Sequence, residues 1–183
     1  MNARMMDEQI GDLRPLRPED ASEWLRLRLE ALRGDPEAFS ASLEEYESLS
    51  LDEVKTRLWS GSEAFVVGAF DGSQRLNGVA GFFRERGAKT RHKGRVWGVY
   101  VSPVAREKGI GKALMQSLLE HAARIDGVEQ ILISVATTQE AARKLYRSLG
   151  FEPFGREPRA LKIGGKLIDE EYMVLQLDRT EAD

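Results

Sequence analysis

The sequence predicts a single mixed α/β sheet, largely antiparallel, of about seven strands flanked by about four helices. Three observations predict it. Three apolar runs with strand periodicity follow one another between Glu63 and Ser102, joined by short connections. A turn rich in glycine and cations then opens an amphipathic helical stretch. Beyond it a nearly continuous apolar run, QILISV (Gln130–Val135), stands between two helical patterns.

The elements follow in order. Met1 to Gln9 shows no periodicity and reads as a lead-in, leaving a single domain over residues 10–178 and a short tail over 179–183. Ile10 to Arg17 holds a short strand before Pro18. Glu19 to Leu32 is helical, with Trp24, Leu25, Leu29 and Leu32 on or near one face and Gly34 as its stop. Asp35 to Ser50 is polar, with Phe39 and Tyr46 as aromatic anchors, and reads as a long loop or broken helix. Leu51 to Ser60 forms a second helix, ended by Gly61.

The period then changes. EAFVVGAF (Glu63–Phe70), NGVAGFFRER (Asn77–Arg86) and RVWGVYVS (Arg95–Ser102) are three strands, and their short connections, the first at Asp71-Gly72, make them antiparallel neighbours. Gly109 to Ile125 is a helix with Ile110, Leu114, Leu118 and Ile125 on one stripe. The unbroken apolarity of Gln130–Val135 predicts a strand covered on both faces. Thr137 to Leu149 is a helix opened by a capping box, Thr137 with Glu140, and closed by Gly150 at C′. Phe154 to Ile168 holds a strand and a loop around Gly164-Gly165, and Glu171 to Leu177 a last strand.

Composition narrows the function. A chain of 183 residues with 42% apolar and 31% charged residues is ordinary for a globular protein. A net charge of -3 argues against a general nucleic-acid binder and is mildly compatible with a cationic substrate. With no cysteine, disulfides, thiolate metal sites and a cysteine nucleophile are excluded. His92 and His121 lie far apart without metal-ligand spacing, so no metal is expected. No apolar run approaches the ~18 residues of a membrane span, and the N-terminus lacks the core of a signal peptide. The expectation is a cytoplasmic protein with no membrane partner.

One stretch carries chemistry. VYVSPVAREKGIGKALMQSLLEHA (Val99–Ala122) passes from strand to helix through Pro103 and two glycines flanked by cations. A helix N-terminus presents unpaired N–H groups and partial positive charge, and glycine lets an anion approach the backbone. With Arg106, Lys108 and Lys112 beside Gly109 and Gly111, a phosphate or pyrophosphate is the natural guest. A plain strand-to-helix turn with solvated charges accounts for the glycines equally well. A Walker A loop is excluded, because Arg106 and Ala113 stand where it needs glycine and Ser or Thr. A dinucleotide fingerprint is excluded too, since it needs a third glycine at Leu114 and an acidic residue ending a following strand.

A third pattern fits. Pro103 followed by Arg106-x-x-Gly109-x-Gly111 resembles the coenzyme A pyrophosphate loop of the GNAT superfamily of N-acetyltransferases. QEAARKLYRSLGF (Gln139–Phe151) is similar to that family's N-x-x-A-x-x-L-Y-x-x-x-G-F helix at all but its first residue. The order of elements from Ile10 to Leu177 suits the same fold.

The resemblance implies roles. Backbone groups of Val99, Tyr100 and Val101 would pair with the pantetheine arm and polarise the thioester carbonyl. The N–H groups of Glu107, Lys108, Gly109, Ile110, Gly111 and Lys112, with Arg106 beside them, would hold the pyrophosphate. Many relatives have glycine where Glu107 stands. Gln139 replaces the family's asparagine and keeps an amide that can contact the coenzyme. Tyr146 becomes the general acid, although its spacing with Ala142, Leu145 and Leu149 by itself favours a packing tyrosine. A phenol of pKa ~10 protonates a thiolate of ~8.5 uphill by roughly 2 kcal/mol, so a hydrogen bond to the departing thiolate serves as well as full transfer.

The acceptor amine must lose a proton before it attacks. Candidate bases are His92, Glu85, Glu170 and Glu171, each of which reads more readily as surface charge, or a water chain. His121, near a helix C-terminus, reads as a dipole partner. Ser134 stands where relatives that acetylate ribosomal-protein N-termini carry a glutamate. The implied activity is transfer of acetyl from acetyl-CoA to a primary amine of a small molecule, an amino acid or polyamine, by direct attack in a ternary complex. The first two helices, Asp35–Ser50 and the Gly164-Gly165 loop would shape the acceptor pocket. A peptide N-terminal acetyltransferase and a non-catalytic acyl-CoA sensor are the alternatives, disfavoured by Ser134 and by Tyr146 respectively. Many relatives are dimers, so a homodimer is the assembly the resemblance implies.

Overall fold

In the computed structural model, which describes residues 11–58 and 63–177, the chain opens with β1 (Asp12–Pro15), α1 (Ala21–Gly34), the short α2 (Leu43–Glu47) and α3 (Leu51–Leu58). A meander of β2 (Ala64–Phe70), β3 (Leu76–Arg84) and β4 (Lys93–Val101) follows. Then come α4 (Ile110–Ala123), β5 (Gln130–Ala136), α5 (Glu140–Ser148) and a long hairpin of β6 (Glu152–Ile163) and β7 (Lys166–Gln176). Among the described residues the strands form one seven-stranded sheet, ordered β1-β2-β3-β4-β5-β7-β6. Every junction is antiparallel except β4–β5. The sequence-based fold class and strand directions are present. The expected lead-in over 1–9, the tail over 179–183, the strand start at Ile10 and the helix stop at Gly61 lie outside the described residues.

Helices cover both faces of the sheet. α4 places Ile110, Leu114, Met115, Leu118 and Ala122 at three- and four-residue spacing and buries them in one cluster with Val67, Ala80, Phe82 and Ile131. Leu114, Met115 and Leu118 are fully buried, so truncating any one to alanine costs about 2–5 kcal/mol. On the other face α1 and α3 bury Trp24, Leu27, Ala31, Leu32, Val54 and Leu58 with Val66, Phe70, Val79 and Tyr100. The buried stripe of α1 is rotated from the expected one. Leu25 and Leu29 are only partly buried, whereas Leu27, Arg28 and Ala31 face inward. Trp24 accounts for the choice, since its ring meets Tyr46 at 5.9 Å and Trp97 at 6.4 Å between centroids.

Two local expectations give way to sheet pairing. The Thr137–Glu140 capping box does not form. Thr137 N–H instead bonds the Asp169 carbonyl at 2.9 Å, prolonging the β5–β7 ladder, and Gln139 becomes the N-cap of α5 without a side-chain cap bond. Nor is Gln130–Val135 covered on both faces: Ile131, Ile133 and Val135 are buried, but Leu132 is half-buried and Ser134 exposed. The reason lies in its neighbour. β4 pairs with β5 only where Lys93–Arg95 meets Gln130–Leu132, and beyond that the two strands part.

Candidate active site

The parted strands enclose a cavity of about 530 Å³, walled by β4 from Val96 to Val101 and by β5 from Ile133 to Ala136. Local irregularity shapes the β4 wall. The register with β3 runs from Gly81↔Trp97 to Val79↔Tyr100, so one extra β4 residue bulges at Gly98–Val99. Gly98 has φ +62°, a left-handed conformation that costs any residue with a Cβ about 1–2 kcal/mol. Ser102 N–H pairs back to Asn77 on β3 at 2.8 Å. By the alternation of a strand, the N–H and C=O of Val101 therefore face the opened edge.

The glycine turn sits beside this edge. Gly109, φ +79°, is the N-cap of α4, and Gly111 in its first turn lines the cavity. A Cβ at Gly111 would lie 3.5 Å from Leu145 and 3.7 Å from Val101, in the space between α5 and β4. Glu107 holds φ +64°, which explains why glycine suits that position. Lys112 and Lys108 are exposed, and Lys108 Nζ reaches the Val104 carbonyl at 3.4 Å. The Ile110 side chain is buried in the core, leaving only its backbone for a ligand. Arg106 is not a free cation. Its Nη2 pairs with Asp35 at 2.5 Å, its Nε donates to the Val101 carbonyl at 3.0 Å, and it stacks over Tyr100 at 5.6 Å. It braces the end of α1 against the loop, with a face on the cavity.

α5 supplies the opposite wall through Gln139, Ala142, Leu145 and Tyr146. Tyr146 is 5% exposed, and burial pushes its phenol well above the usual value. It is both a core residue and a cavity residue, and it holds its proton firmly. The helix ends in a Schellman motif: Phe151 N–H donates to the Tyr146 carbonyl and Gly150 N–H to the Arg147 carbonyl, each at 3.1 Å.

Of the candidate bases, Glu170 alone lines the cavity among the described residues. Burial raises its pKa, Ser134 beside it opposes the rise, and the Glu157 charge adds to it. Glu171 accepts from Arg143 at 2.9 and 3.2 Å and from Arg147 at 3.2 and 3.3 Å, and the Arg143 hydrogen bonds hold its carboxyl below the usual range. That residue clamps α5 to β7. Glu85 pairs with Arg95 at 2.5 Å and lines a separate cleft with Phe83 and Arg86. His92 lies at the far end of β4, where its carbonyl receives the N–H groups of Glu129 and Gln130. His121 Nδ1 contacts the Ser117 carbonyl at 2.7 Å within α4, and its ring meets Phe65 at 5.7 Å.

The remaining wall comes from α1, α2 and the segment joining them, through Arg28, Phe39 and Tyr46. The Gly164-Gly165 turn is not in the cavity wall; its neighbour Lys166 pairs with Glu37 at 2.8 Å. Sequence reasoning misses Arg28, because a charged residue within an amphipathic helix reads as solvated. The nearest signal was the pair of aromatic anchors at Phe39 and Tyr46, between which it lies.

Comparison with known proteins places this geometry among relatives. A profile of the acetyltransferase (GNAT) family matches residues 23–151. A mycothiol acetyltransferase of Thermobifida fusca is 33% identical over 140 residues, 73% of this chain and 41% of that protein. An L-methionine sulfoximine/L-methionine sulfone acetyltransferase of Pseudomonas aeruginosa is 36% identical over 84 residues, 46% of this chain and 48% of that protein. The chain thus spans about half the length of the curated relatives it matches. A solved phosphinothricin acetyltransferase from Sinorhizobium meliloti, in complex with AcCoA, superposes with a TM-score of 0.80 at 23% identity, covering 95% of this chain and 92% of that one. No helix among the described residues is long and apolar enough to cross a membrane.

Proposed function

The chain belongs to the acetyltransferase (GNAT) family, and we propose that it transfers acetyl from acetyl-CoA to a primary amine of a small molecule by direct attack in a ternary complex. The observation that carries this reading is the parting of β4 from β5 beside the N-terminus of α4. An acyl-CoA has parts to match: an amide-rich arm for an open strand edge and a pyrophosphate for helix N–H groups. When bound it supplies an activated thioester. The names of the curated relatives support a small acceptor.

The chain's own residues then divide the work. The bulged edge at Val99 and Val101 offers backbone N–H groups to the oxygen on which charge develops. Tyr146, kept protonated by its burial, donates a hydrogen bond to the departing sulfur. Glu170 takes the proton of the amine; a raised pKa suits a base that must work near neutrality. Without cysteine, no acyl-cysteine intermediate is open to the chain, which favours direct attack.

Calorimetry with acetyl-CoA, paired with free-thiol release in the presence of an amine panel, tests the proposal. Binding together with amine-dependent release supports it. No binding at millimolar acetyl-CoA rules it out.

A further inference from the structure

We infer that the acceptor amine carries a carboxylate, and that the guanidinium of Arg28 receives it. The inference rests on the proposed acetyl transfer and narrows its substrate class. Arg28 is 7% exposed, and its Nε and Nη1 have no hydrogen-bond partner among the described residues. Its neighbours on α1 differ. Arg26 pairs with Glu23 and Glu30, and Arg33 with Glu47. Arg28 points inward, and no carboxylate among the described residues forms an ion pair with it.

The guanidinium is held in place without being satisfied. It lies 4.6 Å from the Phe39 ring centroid and 4.8 Å from that of Tyr46, and both rings line the cavity. A Cβ built on Gly98 would stand 3.8 Å from Nη1, so the group reaches the β4 bulge where the cavity opens. Burial pushes its pKa below the ordinary value, against weaker opposing effects of the Tyr46 hydroxyl, by charge and hydrogen bonding, and of the Glu45 charge, which leave Nε and Nη1 unpartnered. It remains a cation, because an arginine is not deprotonated in proteins.

A buried cation with unpartnered donors and no carboxylate at ion-pair distance is costly, so a site that keeps one fits an anion arriving with a ligand. The coenzyme does not bring that anion to Arg28. Its pyrophosphate belongs at the α4 N-terminus in the proposed reading, its 3′-phosphate lies on the adenosine side of that group, away from the thioester, and its pantetheine arm and acetyl group are neutral. The acceptor must supply it. A planar fork of donors matches a carboxylate in bidentate fashion, and the same cation repels a polyamine.

The experiment measures acetyl-CoA-dependent acetylation of the standard L-amino acids, their C-terminal amides and spermidine, by the parent and by Arg28→Gln and Arg28→Met. We expect at least one free amino acid to be preferred over its amide by roughly 10- to 100-fold in kcat/KM, with the preference collapsing in both variants. Thermal unfolding of Arg28→Met should match or exceed the parent, because the variant removes an unpaired buried charge. An acid-to-amide ratio near one in the parent, a ratio unaltered by either substitution, or spermidine as the best acceptor would overturn the inference. So would acetyl-CoA binding with no amino acid acetylated, and that outcome leaves the coenzyme reading intact. Failure to bind acetyl-CoA at all overturns the proposed function itself.

Discussion

Phe151 is tied to Tyr146 twice: its N–H donates to the Tyr146 carbonyl at 3.1 Å, and the two rings meet with centroids 6.1 Å apart. The sequence LYRSLGF encodes both contacts, because the αL turn at Gly150 folds the chain back onto the last helical turn. A helix terminator therefore sets where Tyr146 stands in the cavity wall.

Gly150 carries that arrangement at φ +91°, and a Cβ there would come within 3.2 Å of Leu175. Gly150→Ala should destabilise the protein by about 1–2 kcal/mol. Turnover should fall further than folded fraction explains, since Tyr146 shifts. Urea unfolding alongside kcat checks both; an unchanged midpoint contradicts the account.

Gly111 lies where a side chain would enter the space between Leu145 and Val101. Its backbone is free of the left-handed strain found at Gly109, so Gly111→Asp should fold like the parent. Calorimetry should show acetyl-CoA affinity reduced by roughly 30-fold or more, through steric blocking and repulsion of phosphate. Parent-like affinity would misplace the anion site.

The two adjacent carboxylates on β7 should separate by pH. Glu170 acts as a base only when ionised, and burial raises its pKa, so kcat/KM should climb as pH rises through that raised value. Glu170→Gln should lower kcat about 100- to 1,000-fold and remove that limb of the profile. Glu171→Gln loosens the Arg143 and Arg147 clamp and should lower stability while keeping the limb. Identical profiles for the parent and Glu170→Gln would move the base elsewhere.

Asp20 ties β1 to the start of α1. It accepts from Arg14 at 2.7 and 2.9 Å and from Arg17 N–H at 2.7 Å, and the Arg14 hydrogen bonds hold its carboxyl below the usual range. A depressed carboxylate stabilises the fold above its unfolded pKa of ~4 and loses that contribution as pH falls through the folded value. Asp20→Asn should cost about 1–2 kcal/mol at neutral pH. Unfolding in urea at a series of pH values should show the gap to the parent narrowing in acid; a constant gap contradicts the linkage.

The sheet, the glycine turn and the α5 motif were legible because each rests on local periodicity or on a helix end. What escaped depends on long-range pairing. Thr137 and Glu140 have the spacing of a capping box, yet Asp169, far along the chain, captures the Thr137 N–H. Ser134 looked buried within an apolar run until β4 turned away from it. Glu170 could not be ranked above Glu171, because strand alternation leaves open which neighbour faces a cavity. Arg28 needed Phe39 and Tyr46 in place before its burial had meaning.

The central claim is that this cavity performs acetyl transfer with Tyr146 steadying the leaving sulfur, and Tyr146→Phe tests it most directly. The substitution removes one oxygen and keeps the ring that packs on Phe151. Steady-state thiol release, measured with the best acceptor, should fall roughly 10- to 1,000-fold in kcat and kcat/KM alike, with acetyl-CoA affinity nearly unaltered. Equal turnover in parent and variant would contradict the account and leave Tyr146 as a core residue.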